Sequence, residues 1–129
     1  MYQIGEVTKR LNISADTLRY YEKIKLLPAI ARNVSGLRSY CDKDLSRLKF
    51  IRRAQRMGFS LKEISQLLNF REAPLQAKPE VRQLAGEKLA DIEIHLKELA
   101  LLRNEFKLLI NLCMGSEDGC PIIDGLEDD

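Results

Sequence analysis

The sequence holds one histidine, His95, and three cysteines, Cys41, Cys113 and Cys120, among 129 residues. No Ser, Cys or Asp stands with that histidine in a recognisable acid–base or nucleophile motif, so nothing points to an enzyme. Three cysteines in a reducing compartment argue against a disulfide framework, which leaves Cys113 and Cys120 as a closely spaced thiolate pair. An iron–sulfur cluster would need four clustered cysteines. No apolar run approaches the roughly 20 residues that cross a bilayer. The start, Met1-Tyr2-Gln3-Ile4-Gly5-Glu6, lacks the basic and apolar regions of a signal peptide. The expectation is a cytoplasmic protein with no membrane partner.

What is present is unevenly spread. The net charge of +2 conceals 15 Lys/Arg against 7 Asp/Glu over residues 1–72, a net of +8, and 6 against 12 over residues 73–129, a net of −6. A positive field confined to one segment is the footprint of a module that neutralises phosphates. With 45% hydrophobic residues, the chain can build one compact core plus an extended element.

The basic half has the grammar of short capped helices. Ile4, Val7 and Leu11 share one helical face. After the Asn12-Ile13-Ser14 turn, Ser14 suits the N-cap of a helix through Lys23. Two helices on so tight a turn spell a helix-turn-helix. Asp42 is expected to cap a helix through Arg56 that stops at Gly58, and Ser60 with Glu63 forms a capping box for another ending near Leu68. Between Pro28 and Tyr40, a turn at Asn33, Ser35 and Gly36 joins two short arms, each with an arginine, which predicts a hairpin wing. Arg19 and Tyr20 on the second helix are candidates for the major groove. Arg32, Arg38 and Tyr40 on the wing are candidates for bracing the DNA backbone. Tyr21 is assigned to the core.

From Pro79 to about Cys113 the spacing predicts one helix, with Ala85, Leu89, Ile92, Leu96, Leu99, Phe106, Ile110 and Cys113 at three- and four-residue steps, interrupted by Arg103. Such a helix spans roughly 50 Å at about 1.5 Å per residue, too long for the small domain before it to cover. A second copy of the chain is the simplest partner for its apolar seam. The expected domains are a winged helix-turn-helix over 1–72, a joint over 73–78, a dimerisation helix over 79–112, and a metal-binding loop and tail over 113–129. The tail is expected to lack order after Leu126.

Ile4-Gly5-Glu6, Thr17-Leu18-Arg19-Tyr20-Tyr21-Glu22, Leu26-Leu27-Pro28, Arg38-Ser39-Tyr40 and Met57-Gly58-Phe59-Ser60-Leu61-Lys62-Glu63-Ile64 resemble, in order, the pattern of the MerR family of transcription regulators. Cys113 and Cys120-Pro121-Ile122-Ile123 resemble its heavy-metal-responsive branch. The resemblance implies a mainly α homodimer with winged helix-turn-helix heads and an antiparallel coiled coil. It further implies binding to an inverted-repeat promoter whose spacer is too long for RNA polymerase. Effector binding would kink and untwist that DNA to switch on efflux or detoxification genes.

Two thiolates with six residues between them suit a soft ion such as Cu(I), Ag(I) or Au(I), which accepts two sulfurs in a line. Zinc normally takes four ligands. In divalent-sensing relatives a third cysteine opens the dimer helix, and in copper-sensing relatives that position is usually Ser. Here it is Lys78. Two thiolates and a monovalent ion leave one negative charge that an ammonium would cancel, whereas a divalent ion already gives zero. Charge therefore favours Cu(I). The six-residue gap, by contrast, resembles that of some cadmium and lead sensors, so Cd, Pb, Zn or Hg is the alternative. Lys78 is also a candidate to pair with the empty thiolates. Cys41 reads as an ordinary small residue before a helix, His95 as an interhelical or surface group, and Met114 as a cover for the loop. Glu117 and Asp118 are hard oxygen donors, a poor match for sulfur. The rival readings are a regulator using the cysteines as a redox switch and a metal chaperone or buffer, the latter leaving the +8 half unexplained.

Overall fold

The computed structural model describes residues 1–114, which fall into two compact units, Met1–Leu84 and the stretch from Ala85 onward. The first unit opens with β1 (Tyr2–Gln3), α1 (Ile4–Leu11) and α2 (Ala15–Lys23). Asn12, with φ of 52°, takes the left-handed conformation that asparagine tolerates, and so turns the chain between the two helices. Ser14 then caps α2, its Oγ accepting from the Thr17 backbone N–H at 3.1 Å.

The wing is an antiparallel pair, β2 (Ala31–Arg32) and β3 (Arg38–Tyr40), with Ala31 opposite Ser39 and Arg32 opposite Arg38. Its loop is held by Asn33, whose Oδ1 accepts from the N–H groups of Ser35 and Leu37 at 2.9 and 3.0 Å. Gly36 supplies the positive φ, +80°, that closes the turn. Strand β1 adds to the far edge of β3, pairing Tyr2 with Tyr40, which makes a three-stranded sheet in the order β1-β3-β2.

Two longer helices complete the unit, α3 (Asp42–Arg56) and α4 (Leu61–Glu72). Ser60 and Glu63 form the expected reciprocal capping box at the start of α4. The cap of α3 differs from expectation: it is Cys41, not Asp42, which is the first helical residue. Asp44 Oδ2 accepts from the Cys41 N–H at 3.0 Å and its thiol at 3.2 Å. Helix α4 also runs past Leu68 to Glu72, because Leu67 and Leu68 are buried in the core face and Glu72 bonds back to Arg47 on α3 at 2.7 Å. A short 3-10 turn over Pro74–Gln76 follows.

The core gathers one face from each element: Val7 from α1, Leu18 and Tyr21 from α2, Leu48 and Ile51 from α3, and Ile64 from α4. Burying a side chain of this size is favourable by about 1.5–3 kcal/mol, so this shared face sets the mutual arrangement of α1 to α4.

The last helix, α5, spans Pro79–Met114. Cys113 thus lies on its final turn rather than in a loop beginning at residue 113, and Cys120, Glu117 and Asp118 lie outside the described residues. Most of its apolar seam is open to solvent in the single chain, with Leu89, Phe106 and Ile110 each 57% exposed. Among the described residues, no helix is long and apolar enough to cross a membrane.

Candidate nucleic-acid interface and effector site

Helix α2 presents its two faces as its sequence requires. Leu18 and Tyr21 point inward, and the Tyr21 hydroxyl donates to Gln55 Oε1 on α3 at 2.9 Å. Arg19 and Tyr20, the two candidates for the major groove, are left exposed on the opposite side. Arg19 Nη1 meets Asp16 Oδ1 at 3.0 Å, but Asp16 is almost fully exposed, so this contact is weak and easily exchanged for a nucleic-acid acceptor.

The wing divides its three candidates. Arg32 is exposed, and its Nη1 donates to the Gly36 carbonyl across the hairpin at 3.0 Å. Arg38 is half-buried, and its Nε donates to Glu22 Oε2 of α2 at 2.7 Å. That bond raises the Arg38 guanidinium above its ordinary value, more than burial lowers it. Tyr40 is a correction. It is fully buried against the core, where its ring packs and its hydroxyl has no hydrogen-bond partner among the described residues. Burial also raises the Tyr40 phenol above its usual value. The physical reason is position along the strand: Arg38 and Tyr40 share one face of β3, but β1 pairs across Tyr40, opposite Tyr2, and not across Arg38.

Sequence reasoning missed two features. At the wing tip Val34 is fully exposed and Leu37 is 57% exposed, an unusual placement for apolar side chains beside an Asn-Val-Ser-Gly turn. On α3, Lys49, Arg52, Arg53 and Arg56 form a basic stripe that, with Arg10 of α1, lines a cleft of about 260 Å³. The three- and four-residue spacing of these cations along α3 was the available signal.

The candidate effector residues are only partly within view. Cys113 is half-buried, and Lys78 is exposed, standing immediately before α5 with its carbonyl accepting from the Val81 and Arg82 N–H groups. Among the described residues, no group of three or more His, Cys, Asp or Glu gathers as metal ligands.

Residues 2–70 match the family model described as MerR HTH family regulatory protein, and residues 45–108 match that described as MerR, DNA binding. The chain is 37% identical to the HTH-type transcriptional regulator ZntR of Escherichia coli (strain K12), covering 98% of this chain and 93% of that protein. It resembles the crystal structure of PbrR691 from Ralstonia metallidurans CH34 in complex with lead(II), with a TM-score of 0.59 and 36% identity over 98% of this chain and 99% of that one. HiNmlR, a MerR family regulator lacking the sensor domain and solved bound to promoter DNA, gives a TM-score of 0.66 at 25% identity, covering 91% and 93%. The winged helix-turn-helix, the long terminal helix and these likenesses place the chain in the MerR family, whose members are DNA-binding transcription regulators and not enzymes.

Proposed function

We propose that this chain is a metal-responsive promoter switch acting as a homodimer. The observation that carries the reading is the exposed apolar seam of α5, which runs to Cys113 on its last turn. In one chain that seam meets water along its length. A second copy packed antiparallel buries it, joining two basic heads into a unit suited to an inverted repeat. Arg19 and Tyr20 of each head read base edges, and Arg32 with Arg38 braces the backbone.

Cys113 and Cys120 hold the effector, a soft metal ion. The assignment rests on donor chemistry: thiolates prefer soft ions, and a monovalent ion such as Cu(I), Ag(I) or Au(I) is satisfied by two. The Lys78 ammonium of the second copy cancels the remaining negative charge, and in the metal-free dimer it pairs with the thiolates. A second reading, a divalent ion such as Pb(II), Cd(II), Zn(II) or Hg(II), is favoured by the likeness to PbrR691, solved with lead(II).

The energies are compatible. Bending or untwisting a promoter costs about 1–6 kcal/mol. Moving a two-shape dimer from 1:99 to 99:1 needs about 5.5 kcal/mol of differential binding. Structural zinc sites in zinc-finger peptides release roughly 10–16 kcal/mol, so a fraction of a metal-binding energy on that scale, differing between the two shapes, suffices. The realigned promoter is then engaged by RNA polymerase to express an efflux or detoxification gene.

Anaerobic competition titration of the full chain with Cu(I) and Zn(II) tests the metal assignment. Tighter binding of Cu(I), lost in Cys113→Ser and Cys120→Ser, is expected. Tighter binding of Zn(II) at the same cysteines replaces the monovalent reading with the divalent one. Metal-independent binding tied to oxidation of the pair would replace both with a redox switch.

A further inference from the structure

We infer that the cleft between α1 and α3 is a second phosphate-binding surface, gripping the backbone of bound duplex DNA beside the footprint of α2 and the wing. The inference rests on the DNA-binding reading above and adds a site to it.

The cleft is lined by Arg10, Leu11, Lys49, Arg52, Arg53 and Arg56, five cations and no anion. Three other arginines of this unit have carboxylate partners: Arg19 with Asp16, Arg38 with Glu22, Arg47 with Asp44 and Glu72. Among the described residues, no carboxylate forms an ion pair with any of the five. On α3, Lys49 and Arg53 stand four apart, as do Arg52 and Arg56, a like-charge spacing that weakens an isolated helix. The helix dipole accounts for cations at the last turn of α3, where Arg53 and Arg56 lie. It does not account for Lys49 in mid-helix, nor for Arg10 on a different helix facing the same cleft.

The geometry also ties the cleft to the helix-turn-helix. Arg52 Nη2 donates to the Asn12 carbonyl at 3.2 Å, and Asn12 is the left-handed residue that joins α1 to α2. Arg10 lies on the last turn of α1, its guanidinium 4.7 Å from the centre of the Tyr2 ring, which holds the side chain in place. In helix-turn-helix proteins the first helix crosses the DNA backbone while the second enters the groove. Cations at the end of the first helix, beside that turn, are placed for phosphates. Arg10, Lys49, Arg53 and Arg56 are all exposed, Arg53 Nε donating at 3.4 Å to the Lys49 carbonyl of its own helix, whereas Arg52 is half-buried and serves as the bracket. DNA is preferred over an acidic protein segment because the cleft adjoins the element that already meets DNA.

The test measures binding of the full chain to a duplex selected from a random pool by the wild-type chain, and to a random 40-base-pair duplex, across a salt series. In Arg53→Gln/Arg56→Gln, the slope of log affinity against log salt should shrink by about 1 for each arginine that meets a phosphate. Affinity should fall by a similar factor on both duplexes, since phosphates carry no sequence. Arg53→Lys/Arg56→Lys should restore the slope, and unchanged circular-dichroism melting should accompany both variants. A wild-type slope in the Gln variant overturns the cleft while leaving the DNA reading intact. So does an unchanged slope accompanied by lost binding to poly-L-glutamate, which would mark a protein-docking face. Failure of the wild-type chain to bind either duplex would overturn the underlying reading as well.

Discussion

Arg38 on the returning strand of the wing and Glu22 on α2 form a 2.7 Å ion pair with both side chains about one-fifth exposed. This bond links the element proposed to brace the DNA backbone to the element proposed to read its bases. Partial burial shields the pair from the solvent screening that makes surface pairs nearly worthless. In a double-mutant cycle of Arg38→Ala and Glu22→Ala, followed by urea unfolding, the expected coupling is about 1–2 kcal/mol. Glu22→Ala alone should also weaken DNA binding although a negative charge has been removed, because the wing loses its anchor. Tighter binding would show that the pair merely competes with phosphate for Arg38.

Tyr40 gives a prediction with a worked sign. Its hydroxyl is buried and without a hydrogen-bond partner among the described residues. Leaving such a group unsatisfied costs about 1–3 kcal/mol, so Tyr40→Phe should be neutral or stabilising by up to about 1 kcal/mol in thermal or urea unfolding. Burial raises the folded-state phenol above the unfolded value of about 10. Above that pH the unfolded chain releases its proton first, so the native state binds more protons and stability falls as pH rises further. Tyr40→Phe should remove part of this alkaline loss. A substantial loss of stability at neutral pH would show that the hydroxyl has a structural partner.

Arg19 is predicted to specify sequence rather than simply to attract DNA. A well-placed arginine on a base edge is worth about 1–3 kcal/mol of discrimination. Arg19→Ala should therefore lower affinity for a selected operator about 10- to 100-fold while changing binding to random duplex far less, as read by fluorescence anisotropy. Equal losses on both duplexes would reassign Arg19 to a phosphate.

The cap of α3 is open to a direct check. Cys41→Ser keeps a side chain able to bond Asp44 and should preserve stability, whereas Asp44→Ala removes the cap and an ion-pair partner of Arg47 together. A loss of roughly 1–2 kcal/mol is expected for Asp44→Ala in urea unfolding. No loss would mean that the helix start is held by packing alone.

These particular residues show where sequence reading succeeds and where it stops. Ser14, Ser60 with Glu63, and the α5 seam are local signals, because a cap acts within three residues and a helical period repeats every three or four. The inward pull on Tyr40 is not local: it follows from pairing with Tyr2, thirty-eight positions away, in a strand of two residues too short to announce itself. Cys41 displaced Asp42 as cap because Asp44 lies three residues beyond Cys41 and closes the box there. Glu22 as the partner of Arg38 and the convergence of Arg10 with the α3 stripe likewise needed tertiary placement. Family likeness brought Arg38-Ser39-Tyr40 into view as a motif but did not divide it into a wing anchor and a core residue.

The central claim is that metal held at the end of α5 changes what the basic heads do to promoter DNA. The most direct measurement is promoter bending by the full chain, read as energy transfer between dyes at the two ends of a selected operator, with and without Cu(I) under anaerobic conditions. The account predicts a change in end-to-end distance on adding metal, absent in Cys113→Ser/Cys120→Ser even though that variant still binds the duplex. The same distance change in the double variant, or no change in the wild-type chain with any of Cu(I), Zn(II), Cd(II), Pb(II) or Hg(II), would contradict it.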